Sequence, residues 1–213
     1  MSDAARLDAL AEALGLGSRA QPVVDAVSRL YESLDAALGD AAGGLELPCR
    51  PGCDACCHES VFVSAPELLV AVQALLARGP IEAERVIAEM QRWAEVYEDE
   101  LELLEILPAG VERDEVAARV KFRCPMLSPA GACEIYGGRE LNARTFGQSW
   151  DEGRGAAYGC GLTLARLSVL PPEAGPRLFS AREARRRLAQ LFPDAGKVQV
   201  YPWWFQRYGA LMR

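Results

Sequence analysis

The 213 residues predict a mainly α fold, a single helical domain with a small β-hairpin. Two observations predict it. Apolar residues recur at helical spacing through most of the chain, and one stretch, "RVKFRC" at Arg119 to Cys124, alternates as a short strand does. A third observation concerns what the helices surround: four of the seven cysteines fall between Cys49 and Cys57, followed directly by the only histidine, His58.

The elements follow in order. Leu7, Leu10, Ala11 and Leu14 mark a first amphipathic helix over Ala4 to Leu14. Pro22, suited to a first turn, opens a second, with Val24, Val27, Leu30, Tyr31, Leu34 and Leu38 on one face. It stops in "GDAAGG", Gly39 to Gly44, which reads as a flexible joint. The joint separates an N-terminal helical segment, 1–44, from a cysteine-cluster region, 45–213, and the two are able to form one compact unit. "SAPE" from Ser64 is a capping box, so a helix is expected from Ala65 to about Ala77, ending at Gly79. Pro80 then starts a long helix through Ile106. Its inner positions are Ile81, Ile87, Met90, Ala94, Tyr97, Leu101 and Leu104, and Glu95, Glu98, Asp99, Glu102 and Glu105 form a solvated acidic face.

Val120, Phe122 and Cys124 then alternate, "SPAG" from Ser128 signals a turn, and "ACEIY", Ala132 to Tyr136, reads as the returning strand. This hairpin would bring Cys124 and Cys133 together. A short helix is expected over Arg139 to Phe146, and a loop over Ser149 to Gly155. A second capping box, "SARE" from Ser180, starts a helix to about Leu191. Its Arg182, Arg185, Arg186 and Arg187 read as a solvated face or as partners for the acidic helix. The aromatic tail "YPWWFQRY" reads as a plug docking onto the core.

Composition narrows the function classes. Half the residues are hydrophobic and a quarter charged, as in ordinary soluble domains. A net charge of −7 argues against nucleic acid as a partner. The most apolar window, Val61 to Ala77, is too short and too interrupted for a membrane span. The first residues carry no basic region followed by an apolar run, so the expected location is the cytoplasm, where thiols stay reduced. Seven cysteines cannot all pair within one chain, which weighs further against a disulfide scaffold. Arginine supplies 21 of the 23 basic residues, a coding bias toward GC-rich codons that points to a bacterial source. No phosphate-binding glycine loop, hydrolase triad or His-Glu zinc motif is present.

The cysteines carry the chemistry. Thiolates are soft ligands that select zinc or iron–sulfur centres, and Cys53 and Cys56 have the spacing of two sulfurs reaching one metal. On a helical turn Cys53, Cys56 and Cys57 would lie along one side, with Cys49 reaching in from a preceding turn. Adjacent side chains on a helix diverge by about 100°, so Cys56 and Cys57 make poor partners on one ion. Either one is a core cysteine, or the site is as large as an iron–sulfur cube or a metal pair. Cys124, Cys133 and Cys160 lie far along the chain, and a metal joining both groups would clip distant segments together. His58 reads as a surface or capping histidine, with a role beside the metal as the sharper alternative.

Three blocks, "CRPGCDACC", "CPML" and "CEIYGGRELNAR", resemble the zinc- or iron-chelating cysteine-cluster family, whose pattern runs C-x3-C-x2-C-C, then C-P-x-L, then C-x-I-Y-x-x-R-P-x-x-C-R. The resemblance places Cys49, Cys53, Cys56, Cys57, Cys124 and Cys133 on the family's cysteines, and Ile135, Tyr136, Arg139 and Arg144 on its other marked positions. Glu140 stands where the family has proline, and Ala143 where it has a further cysteine, which Cys160 would have to replace. The resemblance implies metal or cluster binding without one agreed reaction. Some of its members are flagellin lysine methylases with an iron–sulfur centre, but nothing in this chain identifies a methyl-donor site. Cys49, Cys53 and Cys56 also satisfy the C-x3-C-x2-C signature of radical enzymes that cleave S-adenosylmethionine, but the two helices expected after Cys57 do not fit the βα repeats of that fold.

The expected metal ligands are therefore Cys49, Cys53, Cys56, Cys57, Cys124, Cys133 and Cys160, around an iron–sulfur cluster, [4Fe–4S] favoured, or zinc. Surplus thiolates favour iron, and a small structural clip favours zinc. The expected use is electron transfer or cluster-dependent protein modification. The alternatives are a zinc-stabilised module that binds a protein partner and a thiol redox sensor. An enzyme would need an open coordination site or a pocket beside the metal.

Overall fold

The computed structural model describes residues 1–48, 52–153, 155–171, 178–194 and 196–213. The described chain is mainly helical. Its first half runs α1 (Asp3–Ala13), α2 (Gln21–Ala42), β1 (Phe62–Ser64), α3 (Ala65–Leu76), α4 (Pro80–Val96), α5 (Glu98–Ile106) and α6 (Val111–Ala117). A 3₁₀ turn at Tyr136–Gly138 precedes α7 (Leu141–Thr145), β2 (Ser149–Asp151), β3 (Ala156–Ala157) and α8 (Gly161–Leu167). The chain closes with β4 (Phe179–Ser180), α9 (Ala181–Leu191), β5 (Val198–Val200) and α10 (Tyr201–Met212).

Helix α3 sits at the centre. Ala65 to Val72, Leu75 and Leu76 are all buried, and a helix apolar on every side belongs inside a core. Helices α1, α2 and α4 pack on it, and α10 lies across α4 and α1. Leu10, Val27, Leu68, Met90, Trp204 and Phe205 share one core, so the N-terminal helices and the cysteine-bearing region bury their apolar faces together. Two helices enter this core in the same way. Strands β1 and β5 pair antiparallel with Phe62 opposite Val200, and each runs straight into a helix with proline near its start, α3 and α10 respectively. Trp204 Nε1 donates to the carbonyls of Val63 (3.0 Å) and Gln199 (3.1 Å), which fastens α10 across both strands. The aromatic tail thus folds back as a helix with Tyr201, Trp203, Trp204 and Phe205 buried. A smaller sheet, with β2 antiparallel to β3 and parallel to β4, stands beside a second cluster formed by Leu30, Leu34, Leu141 and Ala184.

Two expected elements take a different form. The long helix breaks at Tyr97, whose φ/ψ of −112°/30° is not helical. Three acidic residues, Glu98, Asp99 and Glu100, start α5 afresh, as favours a helix N-terminus, and the bend buries Leu101 and Leu104. The hairpin does not form as two strands. Pro125 has no amide to donate to a ladder, and the Cys124 amide is spent on the Cys57 carbonyl at 2.8 Å. The reversal survives in short form, as a turn at Ser128–Gly131 and an isolated bridge between Leu127 and Cys133. The strand pairs that do form lie elsewhere, and Ser149–Asp151, expected as loop, belongs to one of them. Periodicity also gave no notice of the short helices α6 and α8.

Candidate metal centre

From Gly52 on, the first cysteine block forms a turn rather than a helix. The Cys57 amide donates to Asp54 (2.9 Å) and the Glu59 amide to Cys56 (3.3 Å). Ser60 Oγ ties the end of the turn to the Ala117 carbonyl at 2.7 Å. The second block docks on it through the bond from Cys124 to Cys57. In that block Leu127 donates to the Cys124 carbonyl (3.0 Å) and Glu134 to the Met126 carbonyl (2.9 Å), so Cys124 and Cys133 lie across the Ser128–Gly131 turn from each other.

These segments surround a cavity of about 190 Å³, and Cys53, Cys56, Cys57, Cys124 and Cys133 all line it. Ala143, at the position of the missing family cysteine, lines it too. Cys160 does not. It is buried at the start of α8 against Gly147, where even an added Cβ would lie 3.4 Å from its sulfur. Cys49 lies outside the described residues. His58 is half exposed, faces Asp54 at 3.8 Å, and is not part of the lining.

The thiols differ in acidity. A hydrogen bond from the neighbouring Cys57 side chain is the main cause that lowers Cys56 to about 7. The same bond, with burial and the surrounding sulfurs, pushes Cys57 far upward. Burial raises Cys124 to about 12 and raises Cys133 as well. Among the described residues no three Cys, His, Asp or Glu side chains form a set that could hold one metal ion. The five thiols share a cavity, and Cys56 and Cys57 are free thiols that share a hydrogen bond.

The floor is built from the "CEIYGGRELNAR" block. Ile135 is buried, and the 3₁₀ turn presses Gly138 against α3, where an added Cβ would stand 2.7 Å from that of Ala74. Arg144 is buried and donates from Nε to the Arg139 carbonyl at 2.9 Å. Its other nitrogens reach the Gly137 carbonyl and the Asp35 carboxylate of α2, and its guanidinium stacks 4.0 Å over the Tyr31 ring. Tyr31 in turn donates to Glu67 at 3.2 Å, and Glu67 also accepts from the Leu141 amide (2.7 Å) and from the Ser64 amide (3.0 Å) and hydroxyl (2.6 Å). The capping carboxylate read from "SAPE" thus also anchors α7 and, through Tyr31, α2.

Two residues of the cavity carry roles the sequence reading did not assign. Glu140, read only as a departure from proline, caps α7 by accepting from the Ala143 amide at 3.1 Å, and Tyr201 donates to its other oxygen at 2.9 Å. Burial holds its carboxyl above the usual range. The signals were present: a carboxylate three residues before a helical amide, and a tyrosine expected to bury, whose hydroxyl then requires a partner. Among the described residues the arginines of α9 do not pair with the acidic helix. Arg186 and Arg187 bind Glu183 of their own helix. The acidic side is served by Lys197 and Arg207, both on Glu105.

No helix among the described residues is long and apolar enough to cross a membrane. No protein family, curated protein or solved structure matches the chain.

Proposed function

We propose that this protein binds a cysteine-ligated metal centre, an iron–sulfur cluster of the [4Fe–4S] type in preference to zinc, and uses it in electron transfer or protein modification. The observation that carries the reading is the convergence of Cys53, Cys56, Cys57, Cys124 and Cys133, from segments more than sixty positions apart, on one cavity. The donors suit the group: soft sulfurs, in excess of the four that a cluster needs. The space suits it as well. At about 190 Å³ the cavity would take roughly six waters at about 30 Å³ each, more than one ion requires.

Ligation requires thiolates, so binding releases protons, and Cys56 is the first to give one up. It also requires Cys56 and Cys57 to exchange their mutual bond for the metal, by rotation about one torsion each. Such a cluster supplies one-electron redox chemistry. The chain's own part is to clip the two cysteine segments together and to close the floor with Glu140 and Tyr201.

Anaerobic purification with elemental analysis and a visible spectrum tests the reading. Stoichiometric iron and sulfide with broad visible absorption is the expected result. A colourless protein with stoichiometric zinc would sink the cluster, and a protein free of any metal would sink the whole reading. The bonded Cys56–Cys57 pair favours one further reading, a thiol redox sensor. In that case hydrogen peroxide takes two electrons and two protons from the pair, giving a disulfide and water. Mass spectrometry would find that linkage between Cys56 and Cys57.

A further inference from the structure

Two arginines of one short segment behave in opposite ways. Arg144 satisfies its guanidinium with two carbonyls, a carboxylate and an aromatic ring. Arg139 lines the cysteine cavity, and among the described residues its guanidinium makes no hydrogen bond or ion pair. Its Nε is buried without a partner, and its Cζ stands over the Tyr136 ring, 3.8 Å from the centroid. Arginine keeps its charge at any accessible pH, and stacking leaves the donor edges of the planar fork free for a carboxylate. A half-buried cation with one donor buried and unpaired beside a cavity is suited to bind an anion.

We infer that this cavity also binds a small organic monocarboxylate with a flat apolar body, its carboxylate on Arg139 and its body among Phe62, Phe122, Phe146 and Tyr158. The charges favour one negative unit. Arg139 is the one cation among the described lining residues. Glu59 adds negative charge at the exposed edge, and both oxygens of Glu140 are engaged by Ala143 and Tyr201. A phosphate dianion would leave an uncompensated charge in a partly desolvated space, whereas a carboxylate balances the guanidinium. The walls favour a flat ring. Phe146 and Tyr158 meet edge to face at 5.6 Å, and Phe62 and Phe122 line the same cavity. The inference goes beyond the thiolate reading.

The test titrates benzoate into the 213-residue chain by calorimetry, with metal content measured on the same samples. Benzamide, of the same shape without the charge, is the control that needs no variant. Benzoate should bind at least tenfold more tightly than benzamide, and Arg139→Gln should abolish that preference while keeping wild-type metal content and circular dichroism. Arg139→Lys should restore part of it. The inference is overturned if wild type does not bind benzoate, if it binds benzamide equally, or if R139Q keeps the preference. Loss of metal together with benzoate binding in R139Q would assign Arg139 to the thiolate centre, and that too would overturn it. Metal-free wild type that still binds benzoate would defeat the cluster reading while sustaining this one.

Discussion

Replacing Arg144 with methionine removes the link between α2 and the segment that carries Cys133 and Arg139, with little change in volume. Two carbonyls, of Arg139 and Gly137, lose charged donors, at about 1–3 kcal/mol for each that stays dry. Gly137 is exposed and can recover water, so its share falls at the low end. The stack on Tyr31 adds about 0.5–2 kcal/mol. The ion pair with Asp35 adds little, because the Asp35 side chain is 49% exposed, and such pairs are worth about 0–1 kcal/mol. The expected cost is roughly 2–4 kcal/mol, which for a chain of this length lowers Tm by roughly 5–15 °C. Urea unfolding followed by far-ultraviolet circular dichroism measures it, with Asp35→Asn as the companion expected to cost about 1 kcal/mol or less. An R144M loss below about 1 kcal/mol, or an Asp35→Asn loss equal to it, would refute the view that the carbonyl contacts outweigh the ion pair.

Gly138→Ala should destabilise by about 1–3 kcal/mol, because its Cβ would sit 2.7 Å from Ala74 Cβ and 3.1 Å from the Val70 carbonyl oxygen. A thermal melt within experimental error of wild type would show that the 3₁₀ turn is free to lift off α3. Cys160→Ser should leave metal content unchanged, since that thiol is outside the cavity lining, whereas Cys57→Ser should lower it. Equal losses on elemental analysis would return Cys160 to the ligand set. In anaerobic, chelator-stripped protein, iodoacetamide should label Cys56 before Cys57, Cys124 or Cys133. Its rate should rise as the pH climbs through about 7, because the thiolate is the reactive form and predominates only above that value. Peptide mapping that finds Cys124 labelled first would contradict the order of acidities.

Local chemistry explains which parts were legible. Ser64-Ala65-Pro66-Glu67 and Ser180-Ala181-Arg182-Glu183 announce helix starts because capping groups act within one turn, and α3 and α9 begin where those boxes stand. Pro80 and Gly79 mark a boundary for the same reason. Tyr97 breaks a pattern that is helical on both sides, because the bend answers to burial of Leu101 and Leu104 in a core assembled from the rest of the chain. The hairpin misled because Val120, Phe122 and Cys124 alternate correctly while the Cys124 amide finds its partner 67 positions away, at Cys57.

By itself the sequence determined the helical class, the capped helix starts and the grouping of thiols, since propensity, capping and residue type act over a few positions. Only the tertiary structure decided that Cys124 and Cys133 join the first block while Cys160 packs behind Gly147. It alone also made Glu140 a buried cap for Tyr201 to bind, and left Arg139 without the partners that Arg144 has. Each of these depends on which distant backbone or side chain supplies the second half of a contact, and packing around α3 makes that choice.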